Sequence, residues 1–139
     1  MDAVTLLVDE HRELEGLFTK LDDDLSVVPS ICSILRLHVD VEEQVFYPAV
    51  QRRTEVDEDE VDEVLEEHHL LKILMKEIDG LSADEPEYKA KAKVLSELAR
   101  HHHEEEERDI FPEVRKEMSS EKLEELGARM EQFEAATAE

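Results

Sequence analysis

Leu37-His38-Val39-Asp40-Val41-Glu42-Glu43-Gln44-Val45-Phe46-Tyr47-Pro48 is answered further on by His101-His102-His103-Glu104-Glu105-Glu106-Glu107-Arg108-Asp109-Ile110-Phe111-Pro112. Aligned on their prolines, the two stretches pair His38 with His102, Glu42 with Glu106, Glu43 with Glu107, Phe46 with Ile110 and Tyr47 with Phe111. Each copy sets a His and a Glu four residues apart. On a helix such side chains leave the same face one turn apart, so an imidazole nitrogen and a carboxylate converge as they do at a metal site. One His-x-x-x-Glu is ordinary on an acidic helix and is usually solvated; two in register are a much stronger signal.

The segments before each copy also repeat. Val4, Leu7, Val8, His11, Leu14, Phe18 and Leu21 fall over Val61, Val64, Leu65, His68, Leu71, Met75 and Ile78, with the three-and-four spacing of amphipathic helices. The unit that recurs is therefore a helix pair. The first helix spans residue 2 to about 22, and the second starts near Ser26 and Pro29 and runs to about Arg52, bent or ended early by Pro48. Its inward set is Ile31, Ile34, Leu35, His38, Glu42, Val45 and Ala49. A polar loop from Arg53 to Glu60 leads to the third helix, closed by Gly80. Ser82-x-x-Glu85 reads as a capping box opening the fourth, which reaches about Met118 with a bend near Pro112.

Two αα-hairpins with short connections assemble most simply as an all-α, antiparallel four-helix bundle over residues 1–118. Ser119 and Ser120 then cap a short fifth helix within 119–139, with Leu123, Leu126, Met130 and Phe133 on one side and a frayed end from Ala135. Its apolar side is expected on the bundle's flank, with a dimer interface as the alternative.

The composition agrees. Three glycines, four prolines, no tryptophan and 40% charged residues favour helix throughout, and 139 residues suffice for a core that needs no metal merely to fold. A formal net charge of -23 argues against nucleic acid and anionic membranes, both of which attract basic surfaces. The single Cys32 forms no internal disulfide and reads as a small buried hydrophobe, and neither a signal segment nor a long apolar run is evident, so a cytoplasmic protein is expected.

The polar residues forced onto the inward stripes are His11, His38, Glu42, His68, His102 and Glu106. Any one alone reads as a satisfied core histidine or a solvated carboxylate. Burying the group without a cation costs several kcal/mol per uncompensated charge, and no Lys or Arg on these stripes offsets it. A metal pair resolves the charge. The imidazole and carboxylate set suits iron, manganese or zinc, and six ligands with two carboxylates able to bridge imply two ions; a single octahedral ion using all six would keep no open position. His69 is the alternative to His68 but lies off the stripe. His101 and His103 align with Leu37 and Val39 and are placed on solvated or flanking faces. Glu43 and Glu107, beside the ligand carboxylates, are expected to be solvated or to support the ligands.

As a set, His11, His38-x-x-x-Glu42, His68 and His102-x-x-x-Glu106 resemble the hemerythrin-like, or HHE cation-binding, family over about residues 7 to 114. The resemblance implies a four-helix bundle around two non-haem irons, bridged by Glu42 and Glu106 and by an oxo or hydroxo group. His11 and His38 would serve one iron and His68 and His102 the other. A ferritin-like centre needs two Glu-x-x-His motifs, and only Glu66-x-x-His69 fits. Where hemerythrins resemble His-x-x-x-His in the third helix, the position four after His68 is Lys72. That departure leaves coordination space on the iron held by His68 and favours turnover over simple storage of dioxygen.

With apolar walls of Leu14, Val45, Leu71 and Ile110 excluding large substrates, the resemblance implies dioxygen, hydrogen peroxide or nitric oxide as ligand. Redox defence against peroxide, in a catalase-like manner, or against nitric oxide is the leading expectation. Reversible dioxygen binding, oxygen or redox sensing and iron storage are alternatives within the family. A metal-free structural bundle is the rival from another class. No nucleic-acid or membrane partner is expected, and the chain is expected to be a monomer or weak homodimer.

Overall fold

The computed structural model describes residues 1–138. All its regular elements are helical. α1 (Ala3–Leu21) is capped by Asp2, whose carboxylate accepts from the Thr5 N–H. A 3₁₀ turn, Leu25–Val27, leads into α2 (Val28–Val41), with Pro29 in the first turn, where its missing N–H costs nothing. α3 is Tyr47–Arg53, and α4 (Glu58–Asp79) starts at the Asp57 cap and stops at Gly80. α5 (Pro86–Glu105) and α6 (Phe111–Glu117) form the fourth long rod.

The capping-box expectation at Ser82 is corrected in detail. The Glu85 carboxylate does accept from the Ser82 N–H, but the four residues form a turn and the helix begins at Pro86. The prolines inside the second and fourth rods neither end them nor act through a simple bend. Five-residue π-helical turns, Glu42–Phe46 and Glu106–Ile110, join α2 to α3 and α5 to α6. In each, a backbone N–H reaches five residues back, Tyr47 to Glu42 and Phe111 to Glu106. The next residue is Pro48 or Pro112, which has no N–H and whose ring collides with the carbonyl four back. One extra residue in the turn relieves the collision and lets the rod continue. Both widened turns start at a glutamate singled out in the sequence.

α7 (Ser120–Ala138) begins behind Ser119, whose hydroxyl accepts from the Lys122 N–H. It is longer than expected and stays helical through Ala138, so the fraying placed from Ala135 is not seen there; Glu139 lies outside the described residues. Leu123, Leu126 and Met130 are buried, with Phe133 packed beside them, in one core with Leu7, Val45, Phe46 and Val114. A second core contains Leu14, Phe18, Leu35, Leu71, Met75 and Leu95. Between the two apolar regions each long rod crosses from one core to the other through a histidine: Leu7 to Leu14 at His11, Leu35 to Val41 at His38, Val64 to Leu71 at His68. The polar layer is thus sealed at both ends by apolar packing. Leu65, placed on the inward stripe by periodicity, is instead 38% exposed.

α7 lies so close to the N-terminus that Gly127 has no room for a side chain. A Cβ there would press into the Met1 carbonyl and stand 2.9 Å from the backbone carbon of Asp2. Gly127→Ala should therefore lower stability by about 1–3 kcal/mol, despite alanine's better helix propensity, because backbone must move to admit the methyl. Thermal melts of the variant test this; a raised melting temperature would show that α7 packs more loosely than described.

Candidate metal centre

The polar layer gathers His11, His38, Glu42, His68, His102 and Glu106, all at most 2% exposed. Each histidine is held from behind. The Nδ1 atoms of His11, His38 and His102 donate to Glu107, Glu10 and Glu67, each at 2.7 Å, and that of His68 donates to Glu43 at 2.8 Å. A carboxylate accepts only, so the proton sits on Nδ1 and the lone pair of the neutral ring is on Nε2. All four Nε2 atoms point inward. His11 Nε2 lies 3.2 Å from Glu106 Oε1, His38 Nε2 3.4 Å from Glu42 Oε2 and His68 Nε2 2.9 Å from Glu42 Oε1. His102 Nε2 stands 3.5 Å from Glu106 Oε1 and 3.2 Å from His68 Nε2.

Several of these inner atoms are buried without any hydrogen-bond partner: His11 Nε2, His38 Nε2, Glu42 Oε2 and Glu106 Oε1. Orphaned donor atoms converging in a sealed layer are costly unless a cation takes them. Their spacing suits one. His11, His38, Glu42 and Glu106 offer atoms all within 4.8 Å of one another, and so do Glu42, His68 and His102. Glu42 belongs to both groups, with one oxygen toward His38 and the other toward His68, which is the arrangement of a bridging carboxylate. The second oxygen of Glu106 is fixed by the Tyr47 hydroxyl, which donates to it at 2.6 Å. Phe111, the repeat counterpart of Tyr47, offers no such group to Glu42.

The outer carboxylates are backed in turn. Arg12 pairs with Glu107, and Lys72 donates to Glu43 at 2.6 Å. Lys72 is 46% exposed and takes no place at the centre; it steadies the carboxylate behind His68. Burial raises the Glu134 carboxyl, and its contact with Glu10 adds to this, to about 8, so α7 presents a protonated acid to the group behind His38. Burial likewise raises Glu105, and Glu67 beside it raises it further.

Three histidines remain. His69 and His101 are exposed, and His101 pairs with Glu105 at 2.7 Å on the surface. His103 is a correction: it is only 5% exposed and stands at the centre's edge, its ring stacked on His11 with centroids 3.8 Å apart and planes 11° apart. Its Nε2 is buried and unpartnered, and one of its ring nitrogens lies within 4.8 Å of ligand atoms of His11 and His38. Burial, with the neighbouring imidazoles His11 and His38, holds it well below the ordinary histidine value. The repeat carried a signal of this, since its counterpart Val39 is itself buried in an apolar core.

Without a metal the layer stores protons. Burial opposes charge on His38, yet Glu42 and Glu10 overcome it and raise the group to about 10. His102 is raised well above its usual value against burial by Glu106 and Glu42, and His68 is raised by Glu42 and Glu43. Burial pushes Glu42 up, but His38, His102 and His68 win and hold it well below the carboxylate range.

The description of the Hemerythrin HHE cation binding domain family matches residues 2–114. A hemerythrin HHE cation binding domain-containing protein from Mycobacterium kansasii superposes with a TM-score of 0.80 at 23% identity, covering 98% of this chain and 89% of that one. A curated protein named DNA nickase, from Nostoc sp., is 29% identical over 133 residues, 91% of this chain. The chain spans only 36% of that relative's length.

A group whose folded pKa is raised stabilises fully below its unfolded value and loses that contribution as pH rises through the folded value. The metal-free protein should therefore lose melting temperature steadily between pH 6.5 and about 10. Metal must displace the same protons, so metal affinity should rise over that window. Melts of chelator-stripped and reloaded protein across it test both signs; a stripped protein that grows more stable toward pH 10 would contradict the proton-storing layer.

Proposed function

Because the chain belongs to the hemerythrin HHE cation-binding family, we propose that its buried layer holds two non-haem irons and handles hydrogen peroxide or nitric oxide in redox defence, with no organic substrate. The observations that support this are the orphaned inner atoms of His11, His38, Glu42 and Glu106, and the second close group of His68, His102 and Glu42 that shares Glu42 with them. Irons bound there supply one-electron redox change and an open coordination position. The chain supplies the rest. His11, His38, Glu42 and Glu106 hold one ion and His68, His102 and Glu42 the other. The outer glutamates fix the tautomer of each ring and raise its basicity, Tyr47 orients Glu106, and the two apolar cores keep bulk water and large molecules away.

The nitrogen and oxygen donor set and the absence of any thiolate near it fit iron as well as manganese or zinc, and metal analysis decides among them. The nickase activity in the Nostoc relative's name belongs to a protein of which this chain spans only 36%. A formal net charge of -23 opposes binding to a phosphate backbone, so nucleic acid is left out of the proposal. Sensing is a second reading, supported by the contact of Glu134 on α7 with Glu10, which ties the C-terminal helix to the back of His38.

Protein purified from iron-supplied cells should carry two irons per chain. His38→Ala and Glu106→Ala should lose most of this, and His69→Ala and His101→Ala should not. Peroxide added to the loaded protein should evolve oxygen, or nitric oxide should be consumed. A colourless protein whose melting temperature ignores chelator would instead leave a structural bundle, and a stable, reversible dioxygen adduct without turnover would favour carriage or sensing.

A further inference from the structure

Four of the five buried histidines have a carboxylate behind Nδ1; the fifth, His103, hydrogen-bonds to no described side chain and keeps a buried, unpartnered Nε2 beside His11 and His38. It does not sit as a ligand alongside His11. An imidazole coordinates in its ring plane, and two rings stacked 3.8 Å apart and 11° from parallel have no common ion in both planes. His103 is instead next to the ion position, with its ring meeting that of His38 edge-on at 5.2 Å.

It also faces the way in. A pocket of about 260 Å³ opens from solvent onto His103 and His11; Arg12 and Arg100 line it together with Glu15, Glu104 and Glu107, Arg12 pairing with Glu107 and Arg100 with Glu15. On the other flank of the fourth rod, a pocket of about 150 Å³ beside Glu67, the partner of His102, is walled by Glu60, Glu63, Glu67, Glu105 and Asp109 with no cation among them, and repels anions.

We propose that small ligands enter through the Arg12 and Arg100 pocket to the His11/His38 position, and that His103 Nε2–H is the hydrogen-bond donor that retains them there. The ligand class is a small molecule or anion with a lone pair on its outer atom, peroxide and azide alike. This rests on the di-metal reading above. It places the ligand at the other ion from the one on which Lys72 suggested coordination space, since Lys72 is engaged with Glu43 at the surface and the Arg12 and Arg100 pocket reaches His11.

The test uses the full chain, iron-loaded and oxidised, with azide as probe, followed by absorbance and by metal analysis. His103→Val installs the side chain that the repeat carries at Val39, and His103→Gln keeps an N–H donor. The expected result is two irons in both variants, azide affinity weakened about tenfold in His103→Val, and part of that loss recovered in His103→Gln. Circular dichroism confirms that each variant is folded. Azide affinity within twofold of the parent in both variants would overturn the proposal, as would loss of one iron in His103→Val, which would make the residue a ligand. A wild-type chain that holds no metal overturns the di-metal reading itself, a result distinguishable from either of these.

Discussion

The interaction on which the centre depends is the hydrogen bond from the Nδ1 of each of His11, His38, His68 and His102 to a glutamate of a neighbouring helix. These four bonds close a ring around the bundle. His11 of α1 leans on Glu107 of the fourth rod, His102 of that rod on Glu67 of α4, His68 of α4 on Glu43 of the second rod, and His38 of that rod on Glu10 of α1. Each helix contributes one imidazole inward and one carboxylate to its neighbour. Rotating any rod about its axis breaks two bonds at once, so the ring fixes helix orientation as well as tautomer. The apolar cores above and below supply the burial that makes those bonds strong and makes the inner donor atoms expensive to leave bare.

The two π turns serve the same arrangement from the backbone. Each begins at an inner glutamate, where the extra residue changes the helical phase by about 100°. His38 and Glu42 share one face before the change, and Val45 and Phe46 can face the core after it. The wide turn accommodates the proline, and the glutamate occupies the position where the rod is least regular. The internal repeat reproduces this device in both hairpins, at matched positions.

Much of this was legible because helices write their contacts with a fixed period. The stripes gave four rods with His11 and His68 on them, the paired motifs gave His38, Glu42, His102 and Glu106, the structure brings all six together, and the shift relating His11 to His68 also relates Glu10 to Glu67. The latter pair escaped notice because an acidic residue beside a stripe looks like solvated surface in a chain this rich in glutamate; only the packing of a neighbouring helix reveals which carboxylate has a partner. His103 escaped for the opposite reason. The repeat aligns it with an apolar residue, and a histidine there reads as lying on a solvated or flanking face, although Val39 is buried. Where symmetry was broken, at His103 against Val39 and at Tyr47 against Phe111, the residue types differ but the burial does not. The π turns were illegible because proline's collision can be met by a kink, a stop or a widened turn, and local sequence alone does not choose.

The sharing of Glu42 between both donor groups, and the reach of Glu106 from the last rod to His11 on the first, bear on how the protein matures. Neither hairpin encodes a complete site by itself. His11 and Glu107 are separated by 96 residues and His68 and Glu43 by 25, and both bonds cross from one hairpin to the other. The full donor set therefore exists only after both hairpins have docked, so cation capture reports on late, long-range assembly rather than nucleating it. Once captured, an ion would cross-link the two hairpins, and its escape would require them to part. The centre is, in kinetic terms, a clasp that closes last.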